Sequence, residues 1–230
     1  MKKLASFFLM IFILASSIYL FFHYNVNFNM DLKDIGKKPL YVKTIDFKSD
    51  INKNGKSDLQ DIVLGARAEV NNKTEYKDAY YSGDYPPVSE GVCADVIWRA
   101  LKTAGYNLKL EMDKDLKEHL KDYASSIKTP EPNIDFRRVK NLYIFFQKYA
   151  TSLTLEVKSG NAENLENWQG GDIVVLKNPD HIAIISDKRN KEGVPYVIHN
   201  ATSYAKEEEK LVAWSKSKKI IGHFRYPESY

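Results

Sequence analysis

Cysteine is almost absent from this chain, since Cys93 is the only one in 230 residues. An internal disulfide is therefore impossible. The sequence also has no dense block of Lys and Arg, and its formal net charge is only +4. Without such a block there is no basic surface that could follow phosphates, so nucleic acid is not expected as a partner. Repeats and low-complexity tracts are missing too, and the 13% aromatic content argues against disorder.

One long apolar segment opens the chain. Residues 4–22 carry no charge and follow Lys2 and Lys3, a run long enough to cross a bilayer as a helix. Residues 19–23 are bulky where a signal peptidase would cut, so residues 1–24 are predicted to be an uncleaved signal-anchor rather than a cleaved signal peptide. A lipoprotein anchor is excluded because no cysteine is nearby. We therefore expect a single-pass cell-membrane protein with its domain outside the cytoplasm, or a secreted protein if the segment is cleaved.

The rest of the chain is long enough for one well-cored domain. Residues 25–49 are polar and Lys-rich and are interpreted as a spacer, which leaves residues 50–230 for the domain. Apolar residues at helical spacing mark residues 59–72, 94–104, 113–123 and 139–149. Short segments, mostly rich in Val and Ile, mark residues 153–157, 172–176, 181–186, 196–199 and 220–224. Helices followed by strands predict an α+β fold with an antiparallel sheet.

The lone cysteine lies at the predicted start of a helix. Gly91 would allow a tight backbone turn before Cys93, and Gly105 would end the helix. The positive end of a helix and a nearby imidazole both lower the pKa of a thiol, which attacks as thiolate. Cys93 is thus a candidate nucleophile, and the alternative is a small buried apolar residue.

Two of the five histidines stand in the strand region. His181 begins one predicted strand, and His199, followed by Asn200, ends the next. His181 could act as general base, and either His199 or Asn200 could bond its far nitrogen and fix its tautomer. The alternative is that both histidines are ordinary core or surface residues.

At these residues the sequence resembles the NlpC-like branch of papain-fold cysteine peptidases and amidases. In that branch a helix-opening Cys is followed by a "GDIV" turn, a strand beginning with His, and a polar third residue on the next strand. More narrowly, the sequence resembles the YijF-like family of bacterial envelope proteins, a domain of unknown function. The resemblance spans about residues 58–227 and is carried by residues 91–96, 132–139, 168–174, 181–183 and 198–200.

The resemblance implies a papain-like core with Cys93 as nucleophile, His181 as general base and His199 in the orienting position. The interval between the two histidines is longer than usual in the branch, so Asn200 stays an alternative orienter. The implied chemistry is acyl transfer without a metal: the thiolate attacks an amide carbonyl, His181 protonates the leaving amine, and water hydrolyses the thioester. By the same resemblance the substrate is cell-wall peptide.

Residues 133–141 are peculiar to the narrower family. Asp135, Arg137 and Arg138 could shape a pocket for a substrate carboxylate, because arginine offers a bidentate pair of donors. An internal salt bridge between the aspartate and the arginines is an equal alternative. Trp168, which opens the turn before the His181 strand, is also expected at the substrate site.

Residues 50–61 have the spacing of an EF-hand-type calcium loop, with glycine at position six. The predicted ligands are Asp50, Asn52, Asn54, Asp58 and Asp61. Asp61 replaces the usual glutamate, and a polar turn before an Asp-capped helix is the alternative. We expect a structural calcium ion and no cofactor for catalysis.

Three functions stay open from the sequence. The first is an extracytoplasmic cysteine amidase or endopeptidase acting on peptidoglycan peptides. The second keeps the same Cys–His pair but transfers the acyl group to an amine or a lipid. The third is a calcium-stabilised, membrane-tethered binding module in which Cys93 is merely buried.

Overall fold

The structure is a computed structural model that describes residues 38–83 and 85–227, so the predicted signal-anchor lies outside it. Within these ranges no helix combines the length and the apolar character needed to cross a membrane. The described residues belong to one compact unit that begins at Lys38.

Local sequence signals set the ends of the helices. The helices are α1 (Asp58–Asn71), α2 (Cys93–Thr103), α3 (Leu108–His119), α4 (Val139–Tyr149), α5 (Ala162–Leu165) and α6 (Leu211–Lys216), with 3-10 turns at Leu120–Tyr123 and Asp135–Arg137. A capping box fixes the start of α1, because Ser57 and Gln60 exchange side-chain and backbone hydrogen bonds. Beyond the end of α2, Gly105 has a φ of +99°, which glycine adopts without strain.

The strands form one large sheet and one small pair. A parallel pair joins β1 (Glu75–Tyr76) to β2 (Glu90–Gly91) just before α2. The remaining strands are β3 (Thr151–Ser152), β4 (Ile173–Leu176), β5 (His181–Arg189), β6 (Pro195–His199), β7 (Lys206–Glu208) and β8 (Ile220–Arg225). They lie in the order β3-β8-β4-β5-β6-β7, and every neighbouring pair is antiparallel.

Strand β5 separates two apolar cores. Ile182 and Ile184 face the larger core, which contains the apolar faces of α1 to α4. Ala183 and Ile185 face a smaller core that includes Trp168 and Leu211 of α6. Because successive side chains of a strand point to opposite faces, the first residue of β5, His181, belongs to the side of the smaller core.

The predicted order of helices followed by an antiparallel sheet is confirmed. The predicted strand at residues 153–157 is wrong, because β3 covers only Thr151 and Ser152 and the last backbone bond to β8 is made by Leu153. The helix predicted at residues 113–123 begins earlier, at Leu108, and its last turn is a 3-10 helix. Strands β1, β2 and β7 and helices α5 and α6 escaped prediction because they are too short to leave a periodic pattern.

The described part of the predicted spacer is docked on the domain. Leu40 donates its backbone N–H to the Lys191 carbonyl at 2.9 Å, and Val42 is buried in the smaller core. Gln169 bonds the backbone on both sides of residue 44, at Lys43 O and Ile45 N. The folded domain therefore begins near residue 38 rather than at residue 50.

Candidate active site

Cys93 is the first residue of α2, and the approach to it is tightly packed. A Cβ atom at Gly91 would lie 2.8 Å from Oδ2 of Asp95. That carboxylate accepts the backbone N–H of Val92 at 2.7 Å, which closes the first turn of the helix. Gly91 is therefore required for space beside Asp95, which is a different reason from the tight turn expected from the sequence.

A buried ion pair holds this turn in place. Nε and Nη2 of Arg137 donate to the two carboxylate oxygens of Asp95 at 2.8 and 2.9 Å, and the Trp98 indole donates to Oδ1 at 2.8 Å. The side chains of Asp95 and Arg137 are 1% and 2% exposed. The start of α2 is thus fastened to the 3-10 turn that contains Arg137.

The thiol of Cys93 lies against the beginning of β5. It is hydrogen-bonded to the backbone of Ile182, the residue that follows His181. Burial raises the pKa of Cys93 to about 11, and backbone hydrogen bonds from Ile182 and Ala94 oppose that rise without cancelling it. The thiol is protonated at neutral pH in this state, so the lowered pKa expected at a helix start is outweighed by desolvation.

The two predicted histidines are in direct contact. Nε2 of His181 lies 2.8 Å from Nδ1 of His199. The register that pairs Ile184 with Ile198 places the two imidazoles diagonally across β5 and β6, on the same face of the sheet. The Trp214 ring of α6 packs edge to face on both, with centroids 5.9 and 5.4 Å away.

Both imidazoles are neutral in this environment. Burial lowers the pKa of His181 to about 3, and its electrostatic coupling to His199 adds to the effect. Burial also lowers the pKa of His199, although the hydrogen bond that its ring donates to Glu208 acts in the opposite direction. Cys93 and His181 are therefore both uncharged at pH 7, without a resting thiolate–imidazolium pair.

Glu208 is a member of the site that sequence reasoning missed. Its Oε1 lies 3.0 Å from Nε2 of His199, so a hydrogen-bonded chain runs from Glu208 through His199 to His181. The residue lies on β7, a three-residue strand without an apolar position. A run of three glutamates, at positions 207 to 209 after the second histidine, was the only signal in the sequence.

Asn200 serves the backbone rather than the histidines. Its side-chain amide donates to the carbonyls of Thr74 and Gly91, both at 3.1 Å, and the residue is fully buried. It thereby ties the end of β6 to the segment before Cys93. Of the two candidate orienters, His199 contacts His181, whereas Asn200 links two backbone segments.

Comparison with known proteins assigns the family. The model described as "Domain of unknown function (DUF1287)" matches residues 63–226, more than half of the chain. The chain belongs to the DUF1287 family. It is also 33% identical over 174 residues to "Uncharacterized protein YijF" of Escherichia coli strain K12, an alignment that covers 72% of this chain and 80% of that protein. No solved structure matches.

The DUF1287 match includes the residues predicted to bind substrate, but most of them are engaged internally. Arg138 bonds Asp135 and Glu131, each at 2.8 Å, and Arg137 bonds Asp95. The salt bridge that was the alternative to a carboxylate pocket therefore forms between Asp135 and Arg138, whereas Arg137 pairs with Asp95 instead. Only Arg138 keeps a substantially exposed side chain, at 38%.

Trp168 of the DUF1287 domain is a core residue. It is fully buried, stacks on His223 with ring centroids 3.6 Å apart, and donates its indole N–H to the Glu156 carbonyl. It cannot contact a substrate in this arrangement, so its predicted role is corrected. The neighbouring Asp172 accepts from Arg225 and bonds His223, which fastens β4 to β8.

Four of the five predicted calcium ligands lie around one loop. Asp61 accepts hydrogen bonds from the side-chain amides of Asn52 and Asn54, both at 2.7 Å, and Asp50 accepts the backbone N–H groups of Asn54 and Gly55. The amide oxygens of Asn52 and Asn54 accept the backbone N–H groups of Asn54 and Lys56.

The fifth predicted ligand is occupied elsewhere. Asp58 is buried and accepts from Ile51 N and from the Tyr106 hydroxyl at 2.6 Å, so it is not free to ligate. Among the described residues, no group of three or more His, Cys, Asp or Glu side chains is arranged to hold a metal ion.

Proposed function

We propose that the protein is an extracytoplasmic cysteine hydrolase, an amidase or endopeptidase of the NlpC-like papain type, acting on peptidoglycan peptides. One observation carries the proposal: the thiol at the start of α2 is bonded to the backbone next to His181, whose imidazole is bonded to His199. A candidate nucleophile, base and orienting group are thus linked through the beginning of β5, which supports this chemistry. The wall-peptide substrate is taken from the family resemblance.

The proposed mechanism starts from a neutral pair. As the substrate amide binds, the Cys93 proton passes to His181 while sulfur attacks the carbonyl carbon, and the new imidazolium protonates the leaving amine. Water then attacks the thioester, with His181 accepting its proton, and the thiol is regenerated. The backbone N–H of Cys93, in the first turn of α2, would donate to the oxyanion. This scheme needs no resting thiolate, which agrees with a thiol pKa of about 11.

Release of new amino groups from purified peptidoglycan tests the proposal. The full-length chain in detergent would be compared with Cys93→Ala, with calcium present. Release that vanishes in the variant supports a wall-cleaving cysteine hydrolase, and mass spectrometry of the fragments names the bond. Equal release, or none from either protein, contradicts it.

A second candidate function rests on the burial of Cys93. A thiol with 9% exposure and a raised pKa is also what a non-catalytic envelope-binding module would contain. Sedimentation of the chain with insoluble peptidoglycan, unchanged in Cys93→Ala and without amine release, would favour it. Amine release that instead requires an added acceptor amine would favour acyl transfer.

A further inference from the structure

The geometry points to Glu208 as a positioning residue that sets the proton positions on both imidazoles and leaves Nδ1 of His181 as the bare, basic nitrogen. The catalytic meaning of this assignment rests on the proposed function. The proton positions on the two imidazoles do not depend on the proposed function, so they can be tested whether or not the protein is an enzyme.

The first step is the fixed position of Glu208. Strand β7 pairs with β6 so that Val197 lies opposite Glu208 and His199 opposite Lys206. Glu208 and His199 are therefore diagonal neighbours on one face of the sheet, within reach of a long side chain. The adjacent Glu207 points to the other face, where it bonds Arg67 of α1 at 2.8 Å. A slip by one residue would exchange the two glutamates, and the Arg67 bond opposes it.

The second step is the count of protons. A carboxylate can only accept hydrogen bonds, so Nε2 of His199 must carry the proton shared with Glu208. A neutral imidazole has one N–H, which leaves Nδ1 of His199 as an acceptor. Nε2 of His181, 2.8 Å from that acceptor, must then be the donor. The proton-free nitrogen of neutral His181 is consequently Nδ1.

The surroundings keep the pair in the required charge state. Burial, together with the positive charges of Lys206 and Lys210, lowers the pKa of His199 and opposes a second proton on its ring. The Trp214 ring packs edge to face against both imidazoles and covers part of their surface. Among the described residues, Nδ1 of His181 has no hydrogen-bond partner, which leaves it free to take a proton.

Loss of the carboxylate would undo this arrangement. A glutamine at position 208 can donate as well as accept, so both tautomers of His199 become compatible with their neighbour. In the alternative hydrogen-bond arrangement, Nδ1 of His199 donates to Nε2 of His181. Nδ1 of His181 then carries the proton. That tautomer cannot accept the thiol proton, so part of the population would be inactive. We expect amine release to fall about tenfold, because only one contact distant from the reaction is changed.

Nitrogen-15 NMR of the histidine rings tests the inference directly. The full-length chain, labelled only at its five histidines, would be studied in detergent at pH 7.5 beside Glu208→Gln, Glu208→Asp and Glu209→Gln. Glu209 follows β7 and bonds Tyr196 rather than a histidine, so its variant is a matched control. The wild type and the control should show His181 and His199 with N–H at Nε2 only, whereas Glu208→Gln should gain a measurable Nδ1-protonated population of His181.

Two results would overturn the inference. One is Nδ1 protonation of His181 in the wild type, and the other is a Glu208→Gln spectrum identical to that of the control. If Glu208→Gln does not fold, Glu208→Asp keeps the charge but shortens the reach, and it should show the same mixture to a smaller extent. An activity loss without a change of tautomer would mean a merely structural role. Tautomers that shift as expected in a chain that releases no amines would support the inference while contradicting the proposed function.

Discussion

The reactivity of Cys93 toward an alkylating reagent follows from its burial. At pH 7.5 a thiol of pKa about 11 is ionised at roughly 3 parts in 10,000, against roughly one part in ten for an ordinary thiol of pKa about 8.5. The ionised fraction is therefore about 300-fold smaller. A more basic thiolate is intrinsically more nucleophilic, and at a Brønsted slope of about 0.45 its rate constant is roughly 13-fold higher than that of the ordinary thiolate. The folded chain should thus react about 20-fold more slowly than an exposed thiol, before any steric protection.

The assay needs no substrate, because Cys93 is the only cysteine in the chain. Iodoacetamide incorporation would be followed by mass spectrometry in the folded chain and in the same chain unfolded in urea, which supplies the ordinary thiol. The folded rate should rise about tenfold per pH unit up to pH 10. A rate at pH 6 that exceeds the unfolded reference and levels off at lower pH would refute the reasoning, because it would require a resting thiolate–imidazolium pair.

Three further predictions concern stability and metal binding. The pKa of His181 is lowered on folding, to about 3, so its contribution to stability is present above the unfolded value of about 6.5 and is lost as the pH falls toward 3. In urea titrations the free energy of unfolding should therefore decrease less on acidification in His181→Gln than in the wild type. Asp95→Asn breaks a buried ion pair and should lower the free energy of unfolding by about 3–5 kcal/mol. Arg138→Ala removes a partly exposed partner and should lower it by about 1 kcal/mol or less. Similar losses of unfolding free energy in the denaturant curves of the two variants would contradict this ranking. Added calcium should raise the melting temperature of the wild type and of the exposed control Asp46→Ala but not of Asp61→Ala, and an unchanged wild-type transition would rule out the calcium loop.

The parts of the fold that follow from the sequence are those with a long regular pattern. Helix α2 carries an apolar stripe from Val96 onward and a terminal glycine, so both its existence and the position of Cys93 at its start could be predicted. Strands β5 and β6 are marked by runs of Val and Ile that place His181 and His199 at their ends. Their contact depends on register, which the sequence only suggested through the resemblance.

The missed contacts have no local signature. Asp95 and Arg137 are 42 positions apart, so their pairing is decided by how α2 packs and not by neighbouring residues. Glu208 lies on a strand too short and too polar for periodicity to indicate it. Trp168 was expected at the substrate because it stands beside a conspicuous turn, but an aromatic ring next to a turn is equally suited to close a core, as its stacking on His223 does here.

The beginning of β5 links the two candidate catalytic residues, Cys93 and His181. Ile182 turns its side chain into the core beneath α2, and its backbone bonds the thiol, while His181 belongs to the opposite face of the sheet with His199 and Trp214. Deeper in the strand the sheet itself would separate thiol from imidazole, because successive side chains alternate between faces. At the first residue of β5 the two groups are linked by backbone, because Ile182 bonds the thiol and directly follows His181 in the chain. The same position explains the electrostatics: both groups are largely buried, so desolvation raises the pKa of the thiol and lowers that of the imidazole, and both are neutral at pH 7.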